Sequence, residues 1–192
     1  MIIKEYVAEQ KQKIKDYIAS LETKPKLVIL QVGDVEASNR YVKNKLKDCA
    51  EVDLPAELIH FEEAITEADL LAKIYELNED ESVTGFICQL PLPKHIRETA
   101  IINAIKPEKD VDGFSKLALV NPATPQGIIN YLEANNYDFV DKNAVVIGRS
   151  NIVGRPMARL LLDRSCNVRV IHSKTSEMNK IEAIKNADLI IS

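Results

Sequence analysis

Apolar positions along this chain recur with two different periods, and the two alternate. Residues 3–21 carry a helical, amphipathic spacing, and residues 26–32 form a short apolar run of strand length. The alternation then repeats: a helix over 38–51, a strand over 56–61, a helix from about Thr66, and a strand over 83–89. Thr66-Glu-Ala-Asp69 resembles a capping box with Asp in place of Glu. After Leu90-Pro-Leu-Pro93 comes a further helix ending near Ile105, then Pro107 and the turn-rich segment 109–113. Repeated strand–helix alternation predicts parallel strands joined by right-handed crossovers. No internal repeat and no low-complexity stretch interrupts it.

Residues 117–123 show neither period and contain Pro122, so a domain boundary is placed there. Thr124-Pro125 is expected to open a helix running to about Asn135, with Thr124 as N-cap and Pro125 at the first helical position. Three more strands follow, near Ala144, Asn167 and Asp188, and the last runs into the C-terminus. The predicted fold class is α/β. A three-layer-like α/β substrate domain over 1–120 precedes a Rossmann-type nucleotide-binding domain with parallel strands over 121–192. A doubly wound nucleotide domain normally adds a second half, so the chain is expected to hold only the first.

Composition narrows the function classes. The chain has 192 residues, 46% of them hydrophobic and 28% charged, enough to bury a real core in one large or two small domains. A formal charge of −4 gives no basic field for nucleic acid or for an anionic membrane surface. No apolar run approaches a membrane span and the N-terminus lacks a signal peptide's pattern, so cytoplasm is the expected location. The three cysteines, Cys49, Cys88 and Cys166, form no Cys-x-x-Cys pair and are read as reduced thiols. His60, His95 and His172 are scattered, without metal-ligand spacing.

The richest chemistry lies at Ala144-Val-Val-Ile-Gly-Arg-Ser-Asn-Ile-Val-Gly-Arg-Pro156. A strand that stops at Gly148 and resumes as a helix near Val153 turns backbone N–H groups toward one spot, where the helix dipole also favours an anion. Small residues at 148, 150 and 154 let a pyrophosphate approach the backbone. The spacing departs from Gly-x-Gly-x-x-Gly, because Gly154 lies six residues after Gly148 and Ser150 replaces the middle glycine. By itself such a turn is more often a plain structural connection. The next strand, 167–175, ends in His172, Ser173, Lys174 and Thr175 where an NAD site would carry an acid. Donors and a cation suit a 2′-phosphate, which favours NADP; an ordinary polar strand end is the alternative.

Three polar features stand out in the first half. Tyr41 and Lys45 are four apart on a predicted helix and share a face, a spacing more usual for solvated surface pairs. Gln89 ends an apolar strand, where ligands of parallel α/β sheets collect, though a simple strand cap reads the same way. Asp110 and Asp112 sit in one tight turn, for which an Asx-turn role is the commoner account.

Taken together these segments resemble one family in order and spacing. Ser38-Asn-Arg-Tyr41-Val-Lys-Asn-Lys45, Gln89-Leu-Pro-Leu-Pro93, Pro107-Glu-Lys-Asp-Val-Asp-Gly-Phe114, Thr124-Pro125-x-Gly127, Val146 to Pro156 and His172-Ser173 are similar to the bifunctional methylenetetrahydrofolate dehydrogenase/methenyltetrahydrofolate cyclohydrolase family. The resemblance implies NADP-linked oxidation of 5,10-methylenetetrahydrofolate, then hydrolysis of the methenyl cation to 10-formyltetrahydrofolate, in one-carbon metabolism. It also implies roles. Lys45 is the proton-transfer group that activates water or orients the folate. Gln89 hydrogen-bonds Lys45, Tyr41 borders the folate rings, and Asp112 accepts from the pterin's amino and N–H groups. Gly148, Arg149 and Ser150 cradle the cofactor's phosphates, and Ser173 sits near its ribose phosphate. Tetrahydrofolate derivatives and a second copy of the chain, as a homodimer, are the implied partners.

The sequence departs from that family in places. The connection from Phe114 to Thr124 is shorter than usual, and Ala123 stands where a cysteine is common. The family's remaining nucleotide-domain strands, its Pro-Gly-Gly-Val-Gly-Pro segment and its returning helix have no counterpart here. Two other readings therefore stay open at this point: a non-catalytic remnant that binds folate or a subunit, and an NADP-linked oxidoreductase of another substrate.

Overall fold

The computed structural model describes residues 1–192. The chain divides into two compact units, Ile2–Val120 and Asn121–Ser192, with Met1 grouped with the second.

The unit Ile2–Val120 runs α1 (Ile3–Ser20), β1 (Leu27–Val32), α2 (Glu36–Glu51), β2 (Ala56–Phe61), α3 (Glu67–Glu79), β3 (Gly85–Cys88) and α4 (Glu98–Ala104). Its sheet has the order β2-β1-β3, with both pairings parallel. The central strand reads Leu-Val-Ile-Leu-Gln-Val and is buried on both faces, as a parallel strand between helices must be. Val28, Leu30 and Val32 join Phe86 and Cys88 against Leu70, Ile74 and Leu77 of α3 and Ile101 of α4. On the opposite face Ile29 and Ile87 lie under Val42 of α2. Each such fully buried aliphatic stabilises the fold by about 1.5–3 kcal/mol relative to exposure. α1 is tied to α2 by Lys11, which donates to Asp48 and Glu51 at 2.5 and 2.6 Å.

Local details depart from the sequence expectations in instructive ways. Thr66 does cap α3, its hydroxyl oxygen accepting from the Asp69 N–H at 3.1 Å, but the Asp69 carboxylate accepts from the Thr66 hydroxyl rather than from the Thr66 N–H and leaves the box half made. β3 is only four residues long, although the Gln89 N–H continues its ladder to the Leu30 carbonyl at 2.8 Å. Beyond α4 the chain returns alongside β3. The Phe86 N–H donates to the Lys109 carbonyl, and Phe86 bridges in parallel to Asp110. Gly85 makes room for this pass, since a Cβ there would meet Val111 Cγ1 at 2.3 Å.

The unit Asn121–Ser192 runs α5 (Ala123–Ala134), β4 (Asn143–Ile147), α6 (Gly154–Leu162), β5 (Asn167–Ile171), α7 (Glu177–Lys185) and β6 (Leu189–Ile191). Its parallel sheet has the order β5-β4-β6. Ala144 and Val146 pack against Ile129 of α5 and Met157, Leu160 and Leu161 of α6, and Val145 and Ile171 pack against Ala183 of α7. The start of α5 corrects one expectation. Pro122, not Thr124, is the N-cap, and Pro125 is the third helical residue. The first N–H groups of a helix have no intrahelical acceptor, so a proline is tolerated there as well as at the first position. The first bond of α5 closes from the Gln126 N–H to the Pro122 carbonyl.

Both sheets are Rossmann-like. In each the first strand is central, the second lies to one side and the third to the other, so the chain reverses direction of winding beside the first strand. Ligands of such sheets bind beyond the carboxyl ends of the strands at that reversal. No helix is long and apolar enough to cross a membrane.

Candidate active site

In the unit Ile2–Val120 the reversal lies beyond the ends of β1 and β3, and Gln89 sits directly after β3. Side chains alternate along a strand, so Gln89 follows Ile87 onto the face covered by α2. On α2, Ser38, Tyr41 and Lys45 fall at i, i+3 and i+7, and Ser38 and Val42 are buried in the packed face. Lys45 is 37% exposed at its side chain, and its Nζ lies 3.9 Å from Asp112 Oδ1. Asp112 arrives by the returning segment, two residues after the bridge of Asp110 to Phe86. Elements far apart in sequence thus bring Lys45 and Asp112 together.

The two aspartates of the turn have separate jobs. Asp110, 4% exposed, accepts the Gly113 N–H at 2.9 Å and the Ser115 N–H at 2.8 Å, which closes the turn around its carboxylate. Asp112 accepts no hydrogen bond from the chain, and its side chain is only 17% exposed. Burial pushes its pKa up, with Lys45 pulling down and Asp110 adding to the rise. A desolvated carboxylate without donors is costly, and a ligand bearing N–H groups relieves it.

Gln89 corrects a second expectation. The two side chains, Gln89 and Lys45, share no hydrogen bond: Nε2 of Gln89 donates to the Leu90 carbonyl at 2.8 Å. Its Oε1 is buried without a partner. Ser38, 5% exposed, has an equally orphaned Oγ on the inner face of α2. No role was assigned to Ser38 from sequence, although its i, i+3, i+7 spacing with Tyr41 and Lys45 carries the signal. Tyr41 is 63% exposed, so its ring is open to a planar ligand rather than packed in the core. Cys88, beside this cluster, is inert: burial pushes its thiol up to about 12, with the Asp112 and Glu98 carboxylates adding. Cys49 and Cys166 are likewise buried and unbridged.

In the unit Asn121–Ser192 the corresponding reversal lies beyond β4, where residues 148–153 lead into α6. Gly148 has φ of +117°, which only glycine adopts without strain, and the space its Cβ would enter is open. Gly154 is needed for a different reason, because a Cβ there would lie 2.4 Å from the Gly148 carbonyl oxygen. The Ser150 hydroxyl turns inward and accepts the Val153 and Gly154 N–H groups at 3.1 and 3.3 Å. It thereby occupies two of the amides that the sequence pattern had offered to a phosphate. The amides of Arg149, Ser150, Asn151 and Ile152 keep no acceptor within the chain, and the Ser150 hydroxyl keeps its own proton to donate. At the end of β5 the Thr175 hydroxyl accepts the His172 N–H, and His172 Nδ1 accepts the Lys174 N–H. The exposed Ser173 and Lys174 side chains remain unpaired, and no acid stands at this strand end. An open glycine, unpaired amides, Arg149 and this hydroxyl–ammonium tip fit a dinucleotide whose ribose carries a phosphate.

Two parallel α/β units, one with a phosphate-type loop at its reversal point, define a nucleotide-binding protein with a separate substrate unit. Residues 1–112 match the family model described as tetrahydrofolate dehydrogenase/cyclohydrolase, catalytic domain, and residues 122–192 match the NAD(P)-binding domain of the same family. The chain belongs to the tetrahydrofolate dehydrogenase/cyclohydrolase family. It is 44% identical over 198 residues to the bifunctional protein FolD of Bacillus cereus strain AH820, a match that covers 96% of this chain and 68% of the relative. Among solved structures it is similar to the bifunctional FolD enzyme of Campylobacter jejuni, with a TM-score of 0.92, 40% identity, and 97% and 70% of the two chains covered. It is similar also to the Trypanosoma brucei enzyme complexed with NADP cofactor and inhibitor, with a TM-score of 0.92, 27% identity, and 97% and 69% covered.

Proposed function

We propose that the unit Ile2–Val120 binds the tetrahydrofolate derivative at Tyr41, Lys45, Gln89 and Asp112. In the same reading Gly148, Arg149, Ser150 and Ser173 of the unit Asn121–Ser192 hold NADP. The activity is that of the family: oxidation of 5,10-methylenetetrahydrofolate to the methenyl cation with NADP, and hydrolysis of that cation to 10-formyltetrahydrofolate. Family membership across both units favours this enzyme over a non-catalytic remnant or an oxidoreductase of another substrate. The domain division 1–120 and 121–192 assigns one ligand to each part.

The observation that carries the folate assignment is the Asp112 carboxylate, 17% exposed, accepting no hydrogen bond from the chain and 3.9 Å from the Lys45 ammonium, together with the buried, unpartnered Gln89 Oε1 after β3. A pterin edge offers amino and ring N–H donors in a row, which a carboxylate accepts with both oxygens. Tyr41 supplies an open aromatic face for the folate rings. Bound NADP supplies the hydride acceptor for the oxidative step. For hydrolysis, water adds to the methenyl carbon and loses a proton. The resulting carbinol then gives up its O–H proton as the carbon–oxygen double bond forms and the bond to N5 breaks, N5 takes up a proton, and the 10-formyl product is left. Lys45 is the group that orients that water and relays its proton. Asp112 holds the folate by its pterin edge and so fixes where the bridge carbon lies.

Substituting Lys45 by Met tests the assignment. The expected result is loss of methenyltetrahydrofolate hydrolysis with folate binding retained in calorimetry; unchanged turnover removes Lys45 from its role. We further propose a homodimer, to be tested by sedimentation. A cytoplasmic location is proposed on the strength of three unbridged thiols in a chain of this family.

A further inference from the structure

The turn that follows β3 is fastened to the start of α3 through one carboxylate. Glu67 accepts the Arg97 backbone N–H at 2.7 Å and the Arg97 Nε–H at 3.0 and 3.1 Å, and Arg97 Nη2 donates to it as well. His95 Nε2 lies 2.9 Å from the Ile65 carbonyl, and the Leu92 N–H donates to Glu98 at 3.3 Å. Leu92 and Ile96 are buried in the core beneath the turn. Glu67 is the first residue of α3, where the helix dipole favours a negative charge. Arg97 hydrogen bonds hold its pKa down at about 2, so the pair stays charged at any working pH. A forked guanidinium contact joined to a backbone N–H differs in kind from a loose surface ion pair.

At the other end of the turn is Gln89. Its side chain makes one hydrogen bond, to the Leu90 carbonyl, and that bond decides which way its unsatisfied Oε1 points. The amide therefore takes its direction from a peptide group of the fastened turn.

We propose that Glu67 and Arg97 form a latch that positions Gln89 for the reaction, by fixing the turn whose Leu90 carbonyl aims its amide. The proposal rests on the reading of Gln89 as a site residue given above. Neither Glu67 nor Arg97 touches substrate; both are positioning residues.

Arg97 is 76% exposed at its side chain, so Arg97→Ala leaves the core intact. The expected result is a fall in kcat for methenyltetrahydrofolate hydrolysis on the order of tenfold, measured at a temperature where the variant is still folded. Arg97→Lys, which keeps the charge and loses the fork, falls between. In a Gln89→Ala background Arg97→Ala adds nothing, because the latch acts through Gln89. Equal losses in both backgrounds, or no loss in either, overturn the latch. If Gln89→Ala itself turns over normally, the reading of Gln89 fails instead, and NMR of the Gln89 side-chain amide, identified by its disappearance in Gln89→Ala, decides the latch. A shift of that resonance pair in Arg97→Ala supports it, and an unmoved pair overturns it.

Discussion

Asp110 and Asp112 stand two residues apart in one turn and have opposite fates. Asp110 spends its oxygens on the turn's own N–H groups, whereas Asp112 lies partly buried near Lys45 and accepts none. Sequence alone showed two carboxylates and left both the Asx-turn and the ligand reading open, because which oxygen meets which amide depends on the path of the backbone. The same holds for Gln89, whose Nε2 donates to the Leu90 carbonyl while its Oε1, the atom that could accept from Lys45, has no partner, and for Ser150, whose hydroxyl turned to the helix start. Residue types and spacing were legible; hydrogen-bond partners were not. Burial raises the Asp112 pKa above 3.8 in the folded chain, so the native state binds more protons than the unfolded one just above that value. Stability therefore falls as pH rises through this window, and the cost is fully present at neutral pH. Asp112→Asn is expected to raise the melting temperature at pH 7, with the gain vanishing as pH falls to 3.8 or below, while folate affinity drops. Melting curves at both pH values with calorimetry check it, and a neutral-pH loss of stability contradicts the assignment of Asp112 as an unsatisfied group.

Elements were the most legible level, since buried parallel strands read as apolar runs and the helices between them as amphipathic ones. β2 falls at 56–61 as the pattern predicts, and α1 and α2 differ from it only at their ends. α5 starts before its expected cap, because two prolines close together, Pro122 and Pro125, both suit the first turn and the pattern cannot rank them. Gly148 and Gly154 looked equivalent in sequence and have different duties. Gly154→Ala is expected to lower stability by about 1–3 kcal/mol through the clash with the Gly148 carbonyl, and to weaken NADP binding as the loop shifts. Denaturant titration and calorimetry with NADP measure both. The Glu67–Arg97 link between α3 and the turn after β3 has its own signature. With the Glu67 pKa lowered from 4.5 to about 2, its stabilisation is present above pH 4.5 and is lost as pH falls toward 2. The melting difference between the wild type and Glu67→Gln is therefore expected to be constant above pH 4.5 and to close below it.

At the scale of the whole molecule, two sheets with the same strand order each leave a polar cluster beyond their strand ends, one acidic–basic and one rich in unpaired amides. The order of six short motifs made this organisation readable from sequence, because four of them fall at a strand end or helix start and the other two lie on α2 and on the segment that returns beside β3. The chain spans about 68% of the length of the relatives it matches. The most direct measurement is a spectrophotometric assay of the purified chain with 5,10-methylenetetrahydrofolate and NADP, followed by 5,10-methenyltetrahydrofolate alone, each repeated with Lys45→Met. The account predicts NADPH formation and decay of the methenyl absorbance above the uncatalysed rate, with the decay lost in Lys45→Met. Absence of both signals in the wild-type chain, or decay undiminished in Lys45→Met, would contradict it.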